Sequence, residues 1–351
     1  DRPAWQAAVA ANLAFIAGHQ RADGNLGSYY HKETGEVTEW DGAGGLIWIP
    51  ALLLGARLLD VPAYAEAAAR AGAYYARFVA DAFLYGAPED VHLTPTSEDG
   101  YNAVMAFTAL YEATGESKWL DLARQAAEWT LTFRLAYNTP FPPETPLALY
   151  DYRTVGGDIA SPCNPHLHNY GLICSRELLA LYQATGDLHY VERVRDHLQC
   201  FLQFIARRDG DFGARRGMIS EQWYHTDGIA PKGTVLGLSH SWCAGLVILA
   251  AREAHDFGDV VIDWPARRAV ALEAVTLRTE AQTAGLRLVL ANPWPRPLRL
   301  SLRLTGAPAN ARLEADKPLT PDGEGRWLLD LAPSASASVQ VHEVSEAWAK
   351  A

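Results

Sequence analysis

The 351-residue sequence has little cysteine, no long apolar run and no excess of positive charge. Its four cysteines, Cys163, Cys174, Cys200 and Cys243, lack the CxxC spacing of zinc and redox sites, which favours buried free thiols over a disulfide or a metal centre. No stretch reaches the roughly 18 to 20 apolar residues of a membrane-spanning helix, since even the most apolar segment, 46–59, contains proline, glycine and arginine. The sequence therefore argues against membrane insertion.

Two further absences limit the ligand classes that the sequence allows. The formal net charge of −11 would repel phosphate backbones, so we expect no nucleic acid partner. A glycine-rich phosphate-binding loop of specific form is also missing, which argues against a nucleotide ligand. No signal-peptide core is present in this sequence, so the compartment stays open, with the cytoplasm favoured. We expect no cofactor and no metal, and the oligomeric state is not predicted.

One segment occurs twice in the chain. Residues 109–119 read ALYEATGESKW, and residues 180–190 read ALYQATGDLHY. In each copy a helical pattern ends at a glycine, Gly115 or Gly186, which suits a left-handed helix C-terminus, and an acidic residue opens the next helix. Each copy therefore predicts a helical hairpin, and a looser third copy lies at 52–64. Hairpins that recur every roughly 55 to 70 residues predict a toroid.

Apolar periodicity predicts eight helices, followed by short alternating strands. The predicted helices are Trp5–Gln20, Gly42–Leu59, Ala63–Ala82, Glu98–Thr114, Ser117–Tyr137, Pro165–Thr185, Leu188–Arg208 and Ser239–Phe257. The predicted strands are 286–291, 298–304, 326–331 and 337–342. We therefore expect a mainly α protein, with a toroid of helical hairpins over 1–259, of which about four hairpins are visible. A small antiparallel β-sandwich is expected over 260–351.

Long links precede alternate helices. They contain about 15 to 30 residues, whereas connections between helices usually have 2 to 8. In a toroid such links gather at one mouth, and long loops on a rigid scaffold commonly carry function. Each link ends in acidic, imidazole and aromatic residues, a mixture that suits a carbohydrate, because rings stack on sugars while polar groups bond hydroxyls. The expected substrate-binding residues are Trp40, Tyr101, His166, His168, Tyr170, Trp223, Tyr224, His225, His240 and Trp242.

The hairpin junctions, together with Asp-Gly at the start of inner helices, resemble the six-hairpin glycosidase superfamily over roughly residues 5–258. The resemblance implies an (α/α)6 toroid, often with a β-domain, and catalytic carboxylates in the links to the inner helices or in their first turns. A complete toroid of this type has six hairpins, so either N-terminal hairpins are missing or supplied separately, or this toroid is smaller. The implied catalytic candidates are Asp41, Glu98, Asp99, Asp158 and Glu221.

Most candidate acids also have a structural interpretation. Glu98 and Asp99 suit the electropositive start of a helix, and Asp41 suits an N-cap. Asp158 follows two glycines that favour a turn. Glu221 fits neither a cap nor an amphipathic stripe, so it is the leading single candidate.

The sequence leaves several functions open. Glycoside hydrolysis normally needs one protonated and one ionised carboxyl group, so the leading hypothesis is a glycoside hydrolase using two of the five acids. A polysaccharide lyase would use a tyrosine or histidine base, with Arg215 and Arg216 neutralising a uronate. A sugar epimerase or isomerase is also open, because the N-acylglucosamine epimerase group, which the toroid also resembles, uses paired histidines. The non-enzymatic alternative is a carbohydrate-binding protein, or one part of an enzyme whose remainder lies elsewhere.

Overall fold

The computed structural model describes residues 2–87, 91–236, 241–283 and 285–343. The predicted site residue His240 and the predicted helix start at Ser239 lie outside these ranges. Within them the first two thirds of the chain are mainly helical and the last third is β-structure. The helices are α1 (Pro3–His19), α2 (Trp48–Leu58), α3 (Pro62–Ala80), α4 (Ser97–Thr114), α5 (Ser117–Leu131), α6 (Pro146–Leu149), α7 (Ser175–Thr185), α8 (His189–Leu202) and α9 (Ser241–Phe257).

The repeated segments form the predicted hairpins. Gly115 and Gly186 follow α4 and α7 with φ angles of 71° and 74°, the left-handed conformation that lets the chain reverse into α5 and α8. The looser third copy joins α2 to α3, where Asp60 takes the left-handed conformation and Pro62 begins the next helix. The prediction of a mainly helical chain built from hairpins is confirmed.

The helices form two rows. The inner helices α2, α4, α7 and α9 pack side by side in that order, while α1, α3, α5 and α8 lie behind them. The long links precede the four inner helices, so the N-terminal ends of those helices carry the link residues. Small residues allow close packing; at Gly72 an added Cβ would lie 2.4 Å from Leu110 Cδ1. None of the helices described in the structure is long and apolar enough to cross a bilayer.

Two predicted inner helices begin later than their periodicity indicated. Gly42–Leu59 opens with a 3-10 turn at Gly44–Ile47, and α2 itself starts at Trp48. Pro165–Thr185 contains a short strand and a second 3-10 turn before α7 starts at Ser175. In both cases the segment before the helix belongs to the link.

Two outer helices end earlier than predicted. The helix predicted over Ser117–Tyr137 ends at Leu131, and the one predicted over Leu188–Arg208 ends at Leu202. The helices end because the chain beyond them pairs with distant backbone. Arg134 pairs with Asp158 in the third link, and Ile205 pairs with Ile219 in the fourth.

The remaining elements are strands. Among the residues that the structure describes, four short strands lie in the links and nine follow α9. They are β1 (Tyr29–Tyr30), β2 (Val37–Glu39), β3 (Asp158–Ile159), β4 (Leu167–His168), β5 (Val260–Asp263), β6 (Arg268–Ala271), β7 (Thr276–Gln282), β8 (Gly285–Ala291), β9 (Leu298–Thr305), β10 (Ala311–Ala315), β11 (Leu319–Pro321), β12 (Arg326–Leu331) and β13 (Ser336–Glu343).

The C-terminal strands form two sheets, in the orders β10-β13-β8-β7 and β11-β12-β9-β5-β6. Leucines of β8, β9 and β12 meet in one core between them, as expected for a sandwich. The expectation of a purely antiparallel domain was wrong in one respect, because β5 pairs with β9 in parallel. β5 follows α9 directly and lies between β9 and the edge strand β6.

β5 connects the two halves of the chain. Val260 and Ile262 point into the sandwich core, whereas Val261 belongs to the helical core. A buried hydrogen bond of 2.8 Å from the Tyr182 hydroxyl on α7 to Asp263 Oδ2 lies at the same junction. The boundary predicted at residue 259 therefore falls beside a strand that is buried on both faces.

All four cysteines are unpaired thiols. Cys174, Cys200 and Cys243 are buried, as predicted, whereas Cys163 is exposed in the third link.

Candidate active site

A row of aromatic and imidazole rings joins the third and fourth links to the start of α9. Tyr224, His166, His168, Tyr170 and Trp242 follow one another with centroid separations of 6.4, 5.7, 6.2 and 5.7 Å. We call these five residues the ring row. The first three are buried, Tyr170 is half-buried and Trp242 is exposed, so the row runs from the interior to the surface. Five predicted substrate-binding residues thus lie together.

A small β-ribbon positions the ring row. The residues alternate through β4 and the position before it, so His166 and His168 share one face while Leu167 points into the core. His168 is in register with Asp158 on β3, and Leu167 exchanges backbone hydrogen bonds of 2.7 and 3.0 Å with Trp223. The two links therefore present their imidazoles and phenols side by side.

The two histidines of the row have fixed hydrogen-bond partners. His168 Nε2 lies 2.9 Å from the Ser97 hydroxyl at the start of α4, and His166 Nδ1 lies 2.7 Å from Asn164 Oδ1. Because the asparagine oxygen can only accept, His166 donates from Nδ1. Burial, with a smaller effect of His166, lowers the pKa of His168 to about 3, so His168 is neutral at physiological pH.

Two half-buried carboxylates, Glu98 and Glu221, affect the pKa values of the two tyrosines in the ring row. Burial and the negative charge of Glu98 raise the pKa of Tyr170. Burial and the charge of Glu221 raise the pKa of Tyr224. Both phenols therefore stay protonated. The Tyr224 hydroxyl donates to Gln222 Oε1 at 2.7 Å, so it is left as an acceptor for a ligand. Glu221 lies near the buried end of the row, and Glu98 lies near the exposed end.

Asp99 caps the helix on which Glu98 lies. Its Oδ2 accepts from the backbone N–H and the hydroxyl of Thr96 at 3.0 Å each, and its Oδ1 accepts from Ala87 N at 2.7 Å. Thr96 and Asp99 form a capping box, and Asp99 is 1% exposed. We therefore interpret Asp99 as a structural residue that caps α4 together with Thr96.

Asp158 lies at the centre of a buried network. Arg134 donates to it twice, from Nε to Oδ1 at 2.6 Å and from Nη2 to Oδ2 at 2.8 Å. The Tyr101 hydroxyl donates to Oδ2 at 2.5 Å, and His197 Nε2 lies 3.5 Å from the same oxygen. Burial alone would raise the pKa of Asp158, but the charge of Arg134 lowers it to about 2. We therefore interpret Asp158 as a positioning residue.

Tyr101 and Trp223 are core residues that support the ring row. The Tyr101 ring packs against Tyr170 with centroids 6.2 Å apart. Trp223 is fully buried and stacks on Phe204 at 4.3 Å. Neither side chain reaches the surface, so neither offers a face on which a sugar could stack.

The remaining candidates lie around the site. Asp41 is exposed and accepts from the Tyr85 hydroxyl at 2.9 Å, while Trp40 lies under the guanidinium of Arg21 at 3.6 Å. None of the contacts described for these two residues joins them to the ring row. His225 is buried next to Tyr224, and burial and the charge of Lys232 lower its pKa.

The sequence analysis missed three residues that position the site. Ser97 bonds His168, while Arg134 and His197 surround Asp158. His197 does leave a signal in the sequence, because a histidine lies there on the apolar face of α8 between Val194 and Phe201. Among the described residues, no group of three or more histidine, cysteine or acidic side chains is arranged to hold a metal ion.

No protein-family model and no curated protein matches this sequence. Solved structures are similar to it. A glycoside hydrolase family 76 mannosidase from Bacteroides thetaiotaomicron VPI-5482 has a TM-score of 0.49 and 12% identity, over 71% of this chain and 65% of that one. The unsaturated glucuronyl hydrolase from Bacillus sp. GL1 has a TM-score of 0.48 and 16% identity, over 73% of this chain and 68% of that one.

Cellobiose 2-epimerase from Bacillus thermoamylovorans B4167 has a TM-score of 0.42 and 14% identity, over 70% of this chain and 69% of that one. All three are named as enzymes that act on carbohydrates. The chain spans 65% of the mannosidase. At these identities the likeness concerns the fold, and the activity has to be inferred from the site.

Proposed function

We propose that the protein is a glycoside hydrolase acting on an oligo- or polysaccharide, with Glu98 and Glu221 as its catalytic carboxyl pair. One observation carries the proposal: two tyrosines of a single ring row each lie near a half-buried carboxylate whose negative charge raises the tyrosine pKa. Glu98 has this effect on Tyr170, and Glu221 has it on Tyr224. The other three candidate acids have different surroundings, since Asp158 is paired with arginine, Asp99 caps α4 and Asp41 lies in the exposed first link.

The ring row suits the binding of a sugar chain. Trp242 and Tyr170 at the exposed end offer apolar faces for a sugar ring. Towards the interior, the Tyr224 hydroxyl offers an acceptor, and the two imidazoles offer further hydrogen-bonding atoms, for sugar hydroxyls. A site that becomes more polar and more buried along its length orients a ligand that has both an apolar face and hydroxyl groups.

The two carboxyl groups would have different roles in the reaction. One donates a proton to the glycosidic oxygen as its bond to the anomeric carbon breaks, while the other, ionised, either activates water or attacks that carbon. Overall, the anomeric carbon gains the hydroxyl of water and the leaving oxygen gains its proton. Neutral His168 contributes as a hydrogen-bonding group rather than as a cation.

The test is mass spectrometry of a panel of neutral and uronate-containing oligosaccharides in water enriched in heavy oxygen. Hydrolysis adds one heavy oxygen to the product. We expect Glu98→Gln and Glu221→Gln each to lower kcat by roughly 1,000-fold, because each removes a group needed in the transition state. Asp99→Asn is the matched control on the same helix turn and should stay within about tenfold of the unmodified protein.

Two outcomes would contradict the proposal. One is the absence of cleavage on every sugar of the panel. The other is cleavage that survives within about tenfold in either glutamine variant, which would show that the carboxylate is not catalytic.

A sugar epimerase is the second candidate, favoured by the two imidazoles of His166 and His168, 5.7 Å apart on one face of β4. It predicts a different product: a sugar of unchanged length that acquires one deuterium in heavy water. The same panel in deuterated water distinguishes the two functions, because hydrolysis shortens the chain and epimerisation does not.

A further inference from the structure

The third link contains a segment that the ring row does not use, Tyr150-Asp151-Tyr152. Together with the chain that follows α8, it forms a surface cleft of about 150 Å³. The residues that define its character are Tyr150, Asp151, Tyr152, Ile205, Arg207 and Phe212. Its composition repeats that of the proposed active site, with rings and charged groups together.

Three rings form the walls of the cleft. Tyr152 is buried, while Tyr150 is 50% exposed and stacks on it with centroids 5.9 Å apart and planes inclined by 20°. Phe212 closes the third side, 4.9 Å from Tyr150 and 5.4 Å from Tyr152. The cleft therefore presents apolar ring faces to whatever enters it.

Two charged groups of opposite sign lie at the rim. The side chains of Asp151 and Arg207 are exposed, and within the part of the chain that the structure describes neither makes a hydrogen bond or an ion pair. Asp211 differs, because it accepts from the Tyr150 hydroxyl at 3.1 Å and from the backbone of Arg207 and Arg208 at 2.9 Å each. The unpaired groups are thus available to a ligand, while the paired one stiffens the wall.

The backbone of the cleft is also unusual. Phe212 has a φ angle of 55°, in the left-handed region that bulky residues rarely adopt, and it lines the cleft. Asp151, with a φ of 51°, lies in the same region, which aspartate adopts more readily. Strained positions of this kind persist where the surrounding structure holds them, and they cluster at ligand sites.

The cleft is separate from the ring row. Tyr152 packs against Phe204 at 4.6 Å, and Phe204 stacks on Trp223, the buried residue whose backbone pairs with Leu167 of β4. Two layers of buried rings therefore lie between the cleft and the histidines of the row. A ligand in the cleft would not contact Glu98 or the ring row.

We propose that this cleft is a second carbohydrate-binding site, which holds one pyranose ring by stacking on Tyr150 and Phe212 and by hydrogen bonds to Asp151 and Arg207. Its volume is below the range of roughly 300 to 1,000 Å³ typical of drug-sized ligands, so it fits a single ring. Because the rim carries both signs, it favours the hydroxyl groups of a neutral sugar over an anion. The site requires no catalysis at the ring row.

The test follows the Ile205 δ1 methyl group by NMR during titration of the whole chain with methyl glucoside, methyl mannoside and methyl galactoside. Ile205→Val identifies the signal by its disappearance. We expect a saturable shift with at least one of these sugars. Tyr150→Ala removes a stacking face and should weaken binding by about tenfold or more, whereas Tyr137→Ala, an exposed tyrosine outside the cleft, should leave it unchanged.

The Ile173 methyl group, in the turn that contains Tyr170, reports on the ring row in the same spectra. A shift at Ile205 without one at Ile173 supports the second site whatever the fate of the proposed hydrolase. The second site is overturned if only Ile173 responds, if no sugar shifts Ile205 saturably, or if Tyr150→Ala binds as well as the unmodified protein. An equal shift with sodium acetate would indicate an anion site at Arg207 and would also overturn it.

Discussion

Removing Arg134 should destabilise the protein far more than removing an exposed arginine of the same geometry. The side chains of Arg134 and Asp158 are 2% and 0% exposed, so Arg134→Met leaves a carboxylate buried without its counter-charge. Breaking a buried pair in this way costs about 3 to 5 kcal/mol. The expected loss in the free energy of unfolding at pH 8 is therefore of that order, measured by urea unfolding followed through tryptophan fluorescence.

The chain contains a matched control. Arg299 and Asp330 make the same two-point contact, at 2.8 and 2.9 Å, but their side chains are 65% and 66% exposed. Arg299→Met should leave the free energy of unfolding nearly unchanged, because solvent screens the pair. The difference between the two variants isolates burial, since the geometry of the two pairs is nearly identical.

The pH dependence supplies a second test. In the unmodified protein the pKa of Asp158 is about 2 rather than the ordinary 3.8, so its stabilisation is complete above pH 3.8 and is lost as the pH falls towards 2. That difference corresponds to about 2 kcal/mol. Without Arg134, burial raises the pKa of Asp158 instead. The loss in the free energy of unfolding caused by Arg134→Met should therefore be smaller at pH 4.5 than at pH 8, because the carboxylate takes up a proton as the pH falls.

A double variant completes the argument. Arg134→Met combined with Asp158→Asn removes both charges and keeps an oxygen acceptor for the Tyr101 hydroxyl, so it should regain more than half of the lost stability. The reasoning is refuted if Arg134→Met and Arg299→Met differ by less than about 1 kcal/mol, or if the deficit of the buried variant is the same at pH 8 and pH 4.5.

Three further variants test packing and charge. Gly100→Ala should destabilise by about 1 to 3 kcal/mol in urea unfolding, because its Cβ would lie 1.6 Å from Thr130 Oγ1; a neutral effect would contradict the helix contact. Gly245→Ala, in α9 with no atom within 4 Å of its Cβ, should instead stabilise by about 0.5 to 1 kcal/mol, and a loss would show that this face is covered. Burial and the charge of Glu177 raise the pKa of Glu253 to about 7, which costs stability as the pH rises from 4.5 through 7. Glu253→Gln should therefore have a higher Tm than the unmodified protein at pH 8 and the same Tm at pH 4. Equal Tm values at both pH values would refute the raised pKa of Glu253.

Local patterns determined much of the fold. The hairpin junctions were predictable because a glycine at a helix end and an acid at the next start act within a few residues of one another. The strands β8, β9, β12 and β13 agree with their predicted bounds to within a residue at each end, since alternation is also local. The ends of α5 and α8 were not predictable, because the chain leaves each helix to pair with a distant link.

Residue types nominated the five members of the ring row among ten candidates, because aromatic and imidazole residues recur at the ends of the long links. They did not decide which acids belong to it. Asp158 and Glu221 are equally acidic in the sequence, but Asp158 meets Arg134 and Tyr101, which lie 24 and 57 residues away, and Trp223 is buried by Phe204. Burial and charge pairing depend on which distant residues meet, so tertiary structure decided whether each side chain supports the site or faces a ligand.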